Sequence, residues 1–182
     1  MFAFVELKPG RGFEGMRIMG IDPGTAIVGY GIIEKQGINV NVVEYGCIRT
    51  HAKEPMPNRL MQIYSQIQCL IKQFNPDLIA VEELFFNTNA KTALAVGQAR
   101  GVIILAGVNE GIDICEYTPL QVKQAVVGYG RADKKQVQYM VKTLLNLRET
   151  PKPDDVADAL AISLCCMQSY RWEDQTKAGA RQ

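Results

Sequence analysis

The sequence predicts an α/β domain built on a mixed sheet. Three observations carry the prediction. β-Prone runs cluster early in the chain, later runs alternate with helical patterns, and several runs are apolar without interruption, as strands covered on both faces are. A length of 182 residues suits one domain, and 47% hydrophobic with 21% charged residues is the composition of a folded globular protein.

Residues 1–15, MFAFVELKPGRGFEG, precede the periodic pattern. They are expected to be an N-terminal extension, disordered or foreign to the native chain, and they lack the basic start and apolar stretch of a secretory signal. The first strand runs from Met16 to Asp22. Ile27 to Glu34 and Asn39 to Thr50 are β-rich runs joined as a hairpin through Gln36-Gly37, the second bulged or bent near Glu44 to Gly46. Leu60, Ile63, Tyr64, Ile67, Leu70, Ile71 and Phe74 recur at helical spacing, with Asn58 a candidate cap and Asn75-Pro76 the stop.

DLIAVEEL is a short buried strand. Lys91 to Asn109 is apolar on most sides and reads as a buried helix, with Ala93, Gly97 and Gly101 forming a smooth stripe towards the sheet or a partner. IDICEY is a strand, and PLQVKQAVVG a short helix opening on Pro119. Val137, Met140, Val141, Leu144 and Leu145 mark an amphipathic helix with Asp133 near its start. ETPKP links to a final helix, Asp155 to Tyr170, so the domain is expected over 16–170 with a tail over 171–182.

Composition removes some functions. No stretch reads as the ~20 apolar residues of a membrane span. Five cysteines, odd in number and without a C-x-x-C pair, suggest thiols used as small hydrophobes in a reducing, cytoplasmic setting. The single histidine, His51, sits in a loop-like stretch, which disfavours a zinc site or a nucleophile–His pair. A net charge of +1 is neutral on nucleic acid, because acids gathered in one pocket can mask a basic remainder.

The acids carry the chemistry. Asp22 ends one apolar strand, Glu82 and Glu83 end another, and Asp154, Asp155 and Asp158 open the final helix. Each has an ordinary reading alone, since Asp starts turns and acids favour helix N-termini. Side chains alternate along a strand, so only one of Glu82 and Glu83 can share the side of Asp22. Asp155 and Asp158 share a helix face, as do Asp154 and Asp158. Gathered together without counter-ions, such carboxylates raise one another's pKa. A hard cation relieves the repulsion, and an all-oxygen ligand set selects magnesium or manganese over zinc. The matching chemistry is phosphodiester hydrolysis, with two metal ions roughly 3.5–4 Å apart serving the attacking water and the leaving oxygen.

Two further stretches fit a nucleic-acid substrate. LFFNTN puts Phe85 and Phe86 just beyond the acidic strand end, where both cannot easily be buried and one can stack on an unpaired base. From Lys123 to Lys142 the chain carries Lys123, Arg131, Lys134, Lys135 and Lys142 against Asp133 alone. That is a solvated face or a phosphate-binding one.

Taken in order, GIDPGTAIVGYG, GCIRT, AVEELFFNTNAKTALAVGQARGV, EYTPLQVKQAVVGYGRADKKQVQYMV and DDVADALAIS resemble the motifs of the RuvC-type Holliday-junction resolvases, from Met16 to about Tyr170. The resemblance implies an RNase H-like fold, a mixed five-stranded sheet flanked by helices. It also implies a homodimer that nicks two strands of a four-way DNA junction symmetrically, leaving 5'-phosphate and 3'-hydroxyl ends. By the same resemblance the catalytic, metal-holding acids fall on Asp22, Glu82, Asp155 and Asp158, some members having His at the third position. The DNA-contacting aromatic falls on Phe85, with Phe86 a second aromatic, and the basic positions on Lys123 and Lys134, with Arg131 nearby. The implied cofactor is Mg2+, two ions per active site, with Mn2+ as a substitute. The implied partners are branch-migration proteins of the RuvA and RuvB type, and the dimer helix falls on Lys91 to Asn109.

Two other readings stay open at this level. GIDPGT also resembles the phosphate loop of actin-like ATPases and sugar kinases, which need a second lobe that this chain is too short to hold. A non-catalytic junction-binding module of the same fold would not need acids at all four positions.

Overall fold

A computed structural model of the chain describes residues 15–83 and 90–179, and only the backbone of 90, 91 and 170–179. β1 (Arg17–Asp22), β2 (Ile27–Gln36) and β3 (Asn39–Arg49) form an antiparallel meander, after which α1 (Met56–Phe74) crosses to β4 (Leu78–Glu82). α2 (Ala90–Asn109) leads to β5 (Asp113–Tyr117), followed by α3 (Pro119–Val127), α4 (Lys134–Leu144) and α5 (Asp154–Gly179). The strands pair in the order β3-β2-β1-β4-β5, with β1–β4 and β4–β5 parallel. The sheet is therefore mixed, as expected, and the parallel pairs are those bridged by helices.

Alternation along the strands divides the core in two. Ile18, Ile33, Leu78, Ala80 and Tyr117 face the layer formed by α3, α4 and α5. Met19, Ile21, Val28, Ile32, Ile79 and Val81 face α1 and α2, whose Ile63, Ile67, Ile71, Ile103 and Ala106 cover them. Asp22 and Glu82 continue the first set by two-residue steps and so point towards α5.

Several expectations are corrected. α1 begins at Met56 behind Pro55, with no side-chain cap, so Asn58 lies inside its first turn; Pro57 fits there because the first helical N–H groups need no partner. Asn75 does stop α1, in the left-handed conformation. The irregularity in β3 is a bulge at Val43, between partners Ile32–Glu44 and Ile33–Val42. α5 runs on to Gly179, beyond the expected end at Tyr170.

α2 departs most from expectation. Ala99, Ile103 and Ala106 are buried, yet Leu94, Leu105 and Val108 are 66%, 52% and 58% exposed, and a Cβ on Gly101 would meet nothing within 4 Å. An all-round apolar helix reads as buried on every side, but among the described residues only one side of this one is covered. Residues 92–109 are in fact apolar and long enough to span a membrane by length and composition, contrary to the expectation that no stretch is. Their buried side closes the sheet. Among the cysteines, Cys165 and Cys166 are buried as small hydrophobes, whereas Cys69 is exposed.

Candidate active site

Asp22 is the last residue of β1 and pairs with Gly29 of β2. Parallel to β1, β4 ends in Glu82. Glu82 lines one cleft with Asp158 of α5, and Glu83 is not among the lining residues.

α5 comes unusually close to the strands, and three glycines allow it. A Cβ on Gly20 would lie 2.2 Å from the carbonyl oxygen of Ala159, one on Gly29 2.0 Å from that of Asp155, and one on Gly31 2.6 Å from a Leu160 methyl. Gly20 and Gly31 are register partners, so a side-chain-free track runs across β1 and β2 under the helix. The track brings the N-terminal end of α5, with Asp155 in its first turn and Asp158 just beyond, against the end of β1. Sequence reasoning passed over these glycines; their signal was the repeated Gly in GIDPGTAIVGYG, on strand positions that share one face.

The electrostatics report the convergence. Burial, then the charges of Asp158, Glu82 and Asp155, pushes Asp22 up to about 8 against the opposing pull of Lys134. Burial and the charge of Asp158 push Glu82 up to about 7, opposed by Lys123 and Lys134. Asp158 is raised by burial, although its hydrogen bond from Lys134 works in the other direction. Such neighbouring acids with elevated pKa values mark a pocket short of positive charge.

Lysines line the same pocket. The Lys134 ammonium lies 3.0 Å from Oδ2 of Asp158 and 3.4 Å from Oδ2 of Asp154. Burial alone would lower its pKa, but the hydrogen bond and charge of Asp158, joined by Asp154, raise it. Asp133 caps α4 with a reciprocal pair of hydrogen bonds to Gln136, which makes Lys134 the first helical residue. A cation there opposes the helix dipole, so this lysine is sited for its acids rather than for helix stability. Thr118 caps α3 in the same way, and Lys123 of that helix lines the cleft.

The cleft has a volume of about 230 Å3, and Glu82, Lys123, Lys134 and Asp158 are its charged lining. Arg131 is exposed between α3 and α4 and is not among the lining residues. Phe85 and Phe86 lie outside the described residues. A larger depression of about 530 Å3 on α1 is lined by Ser65, Gln68, Cys69, Lys72 and Gln73, far from the acid cluster's side of the sheet.

The donor set fits a hard divalent cation: carboxylate oxygens alone, partly buried, carrying more negative charge than their surroundings balance. Among the described residues no three His, Cys, Asp or Glu side chains are close enough together to hold one ion as they stand. Asp158 is held by Lys134.

An RNase H-like sheet with acids at the ends of its central strands and lysines around them defines a nuclease class, enzymes that hydrolyse phosphodiester bonds. The family model described as crossover junction endodeoxyribonuclease RuvC matches residues 18–166, and the chain belongs to that family. A RuvC of Desulfitobacterium hafniense is 61% identical over 150 residues, covering 82% of this chain and 91% of the relative. The Thermus thermophilus RuvC structure superposes with a TM-score of 0.78 at 35% identity, over 86% of this chain and 96% of that one. The same Thermus protein solved in complex with Holliday junction substrate gives a TM-score of 0.79 at 36% identity, over 82% and 92%. Nucleases of this family generally depend on a divalent metal.

Proposed function

We propose that this chain resolves four-way DNA junctions by two symmetric nicks, each a Mg2+-dependent hydrolysis leaving 5'-phosphate and 3'-hydroxyl ends. Asp22, Glu82, Asp155 and Asp158 are its catalytic acids and together hold two ions, with Mn2+ able to replace Mg2+. The observation that carries this reading is the pair of half-buried strand-end acids, Asp22 and Glu82, raised to about 8 and about 7 beside Asp158. Bound divalent ions supply activation of the attacking water and charge neutralisation at the leaving oxygen.

The chain's own residues do the rest. Lys123 and Lys134 bind the phosphates flanking the scissile bond and orient it over the acids, with Arg131 contacting the DNA further out. As cation and DNA enter, Lys134 exchanges Asp158 for phosphate. Phe85 and Phe86 stack on or wedge between bases that the junction leaves unpaired.

Two equivalent scissile strands call for two pockets related by a twofold axis, which an isologous homodimer supplies. The exposed apolar face of α2, with Leu94, Leu105 and Val108, supports this helix as the contact between protomers. In the cell the dimer works in the cytoplasm beside branch-migration proteins of the RuvA and RuvB type.

The test is incubation of the protein with a synthetic four-way junction and a linear duplex, with and without Mg2+. Paired nicks in the junction, dependent on Mg2+ and absent from the duplex, are expected. Junction binding without cleavage would leave a binding module, and turnover of ATP without nicking would favour the kinase-like reading of GIDPGT.

A further inference from the structure

The acid pocket lies on the α5 side of the sheet, yet the strand end that presents Glu82 is fastened from the other side. Arg100, on α2, donates from Nε to the carbonyl oxygen of Glu82 at 3.1 Å, and its Nη2 lies 2.6 Å from Oε2 of Glu116 on β5. Glu83 donates its backbone N–H to the carbonyl of Tyr117 at 2.8 Å. Both polar groups of the single peptide unit joining Glu82 to Glu83 are therefore held, one by β5 and one by α2.

β4 ends at Glu82, whose register partner is Tyr117 of β5, so β5 holds the N–H side of this last peptide while Arg100 holds its carbonyl side. A strand end with a free carbonyl frays, and a frayed end spreads the direction of its last side chain. The Arg100 guanidinium holds the carbonyl at this strand end. Glu116 in turn orients the guanidinium: the Arg100 side chain is 18% exposed, and the pair is joined at the distance of a charge-assisted hydrogen bond. Arginine suits the task because its fixed planar fork serves two acceptors at once, which a lysine ammonium on a flexible stem does less well.

We infer that Arg100, oriented by Glu116, is a positioning residue that aims the Glu82 carboxylate into the metal pocket from the opposite side of the sheet. This rests on the reading of Glu82 as a metal ligand. It acts without touching metal or DNA. Its loss leaves the acid present but loosely directed, and small misplacements at a reacting centre are costly.

The test compares wild-type protein with Arg100→Lys, Glu116→Gln and Glu82→Gln on a four-way junction. It reads the single-turnover cleavage rate, the junction Kd without divalent cation, and the Mg2+ concentration that gives half of the cation-induced rise in Tm. Arg100→Lys is expected to slow cleavage about 10- to 100-fold. It should raise the Mg2+ midpoint severalfold and leave the Kd and the metal-free Tm close to wild type. Glu116→Gln, which keeps an acceptor but loses the charge, is expected to show the same pattern more weakly. An Arg100→Lys protein with wild-type rate and midpoint, alongside an inactive Glu82→Gln, would overturn the inference. So would a slowed variant whose metal-free Tm falls while its Mg2+ midpoint stays put, since that is simple destabilisation. A Glu82→Gln protein that cleaves normally is a different result: it removes Glu82 from the metal site itself.

Discussion

At the scale of single residues, the site is a balance between half-buried acids and two lysines. Asp22→Asn keeps the shape of the side chain but halves its oxygen donors. It is expected to lower cleavage at least 100-fold, above the loss typical of outer-shell changes at metal sites, while junction binding persists. Gel-shift and cleavage assays on one preparation separate the two effects, and binding lost first would contradict a ligand role. Lys134→Ala should weaken junction binding and reduce the slope of log Kd against log salt by about one unit, one phosphate contact's worth. An unchanged slope would return Lys134 to the solvated surface.

The raised acids also make a pH prediction. Folding lifts Asp22 to about 8 and Glu82 to about 7, so the folded protein holds protons that the unfolded chain has already released. Metal-free stability therefore falls as pH rises from the ordinary carboxylate range towards 8. Mg2+ competes with those protons for the same oxygens. The rise in Tm on adding Mg2+ should be large at pH 8 and small near pH 5.5 by differential scanning fluorimetry, and an equal rise at both would refute proton–metal competition in this pocket.

At the scale of elements, the site depends on how closely α5 lies on β1 and β2. Gly29→Ala would drive a methyl into the backbone of Asp155. A cost of about 1–3 kcal/mol in stability, typical of overpacking, is expected together with loss of cleavage. Retained activity with wild-type Tm would mean that the close approach is dispensable. Element positions were readable from the sequence because period-2 and period-3.6 patterns are local. What covers an element is not local, and α2 illustrates the difference: its apolar residues lie all round the helix, so nothing in its pattern distinguished the side on the sheet from the side left open. Leu105→Glu puts a charge on that open side and is expected to leave the fold intact while converting dimer to monomer by light scattering. A monomeric wild-type protein would remove α2 as the dimer contact.

At the scale of the whole molecule, the function follows from topology. Adjacent parallel strands β1 and β4 end side by side, which brings together acids sixty residues apart in the chain, and the last helix returns across them. Asp22 before Pro23-Gly24 is an ordinary turn residue until that arrangement is known, and Asp155 is an ordinary first-turn helix acid with Asp158 one turn on. Order and spacing of several motifs made the family legible; strand alternation said that only one of Glu82 and Glu83 could join Asp22, and the resemblance chose Glu82. The glycine track and the Arg100 clasp were not legible, because each joins residues by close approach rather than by any period. Asp154, ambiguous in sequence, lies beside Lys134 rather than among the groups that shift Asp22.

The most direct test of this account is a crystal of the protein soaked in manganese and measured for anomalous scattering. Peaks held by the carboxylates of Asp22, Glu82 and Asp158 are predicted, with Lys134 withdrawn from Asp158. Manganese bound elsewhere, with those carboxylates apart and Lys134 still on Asp158, would contradict it.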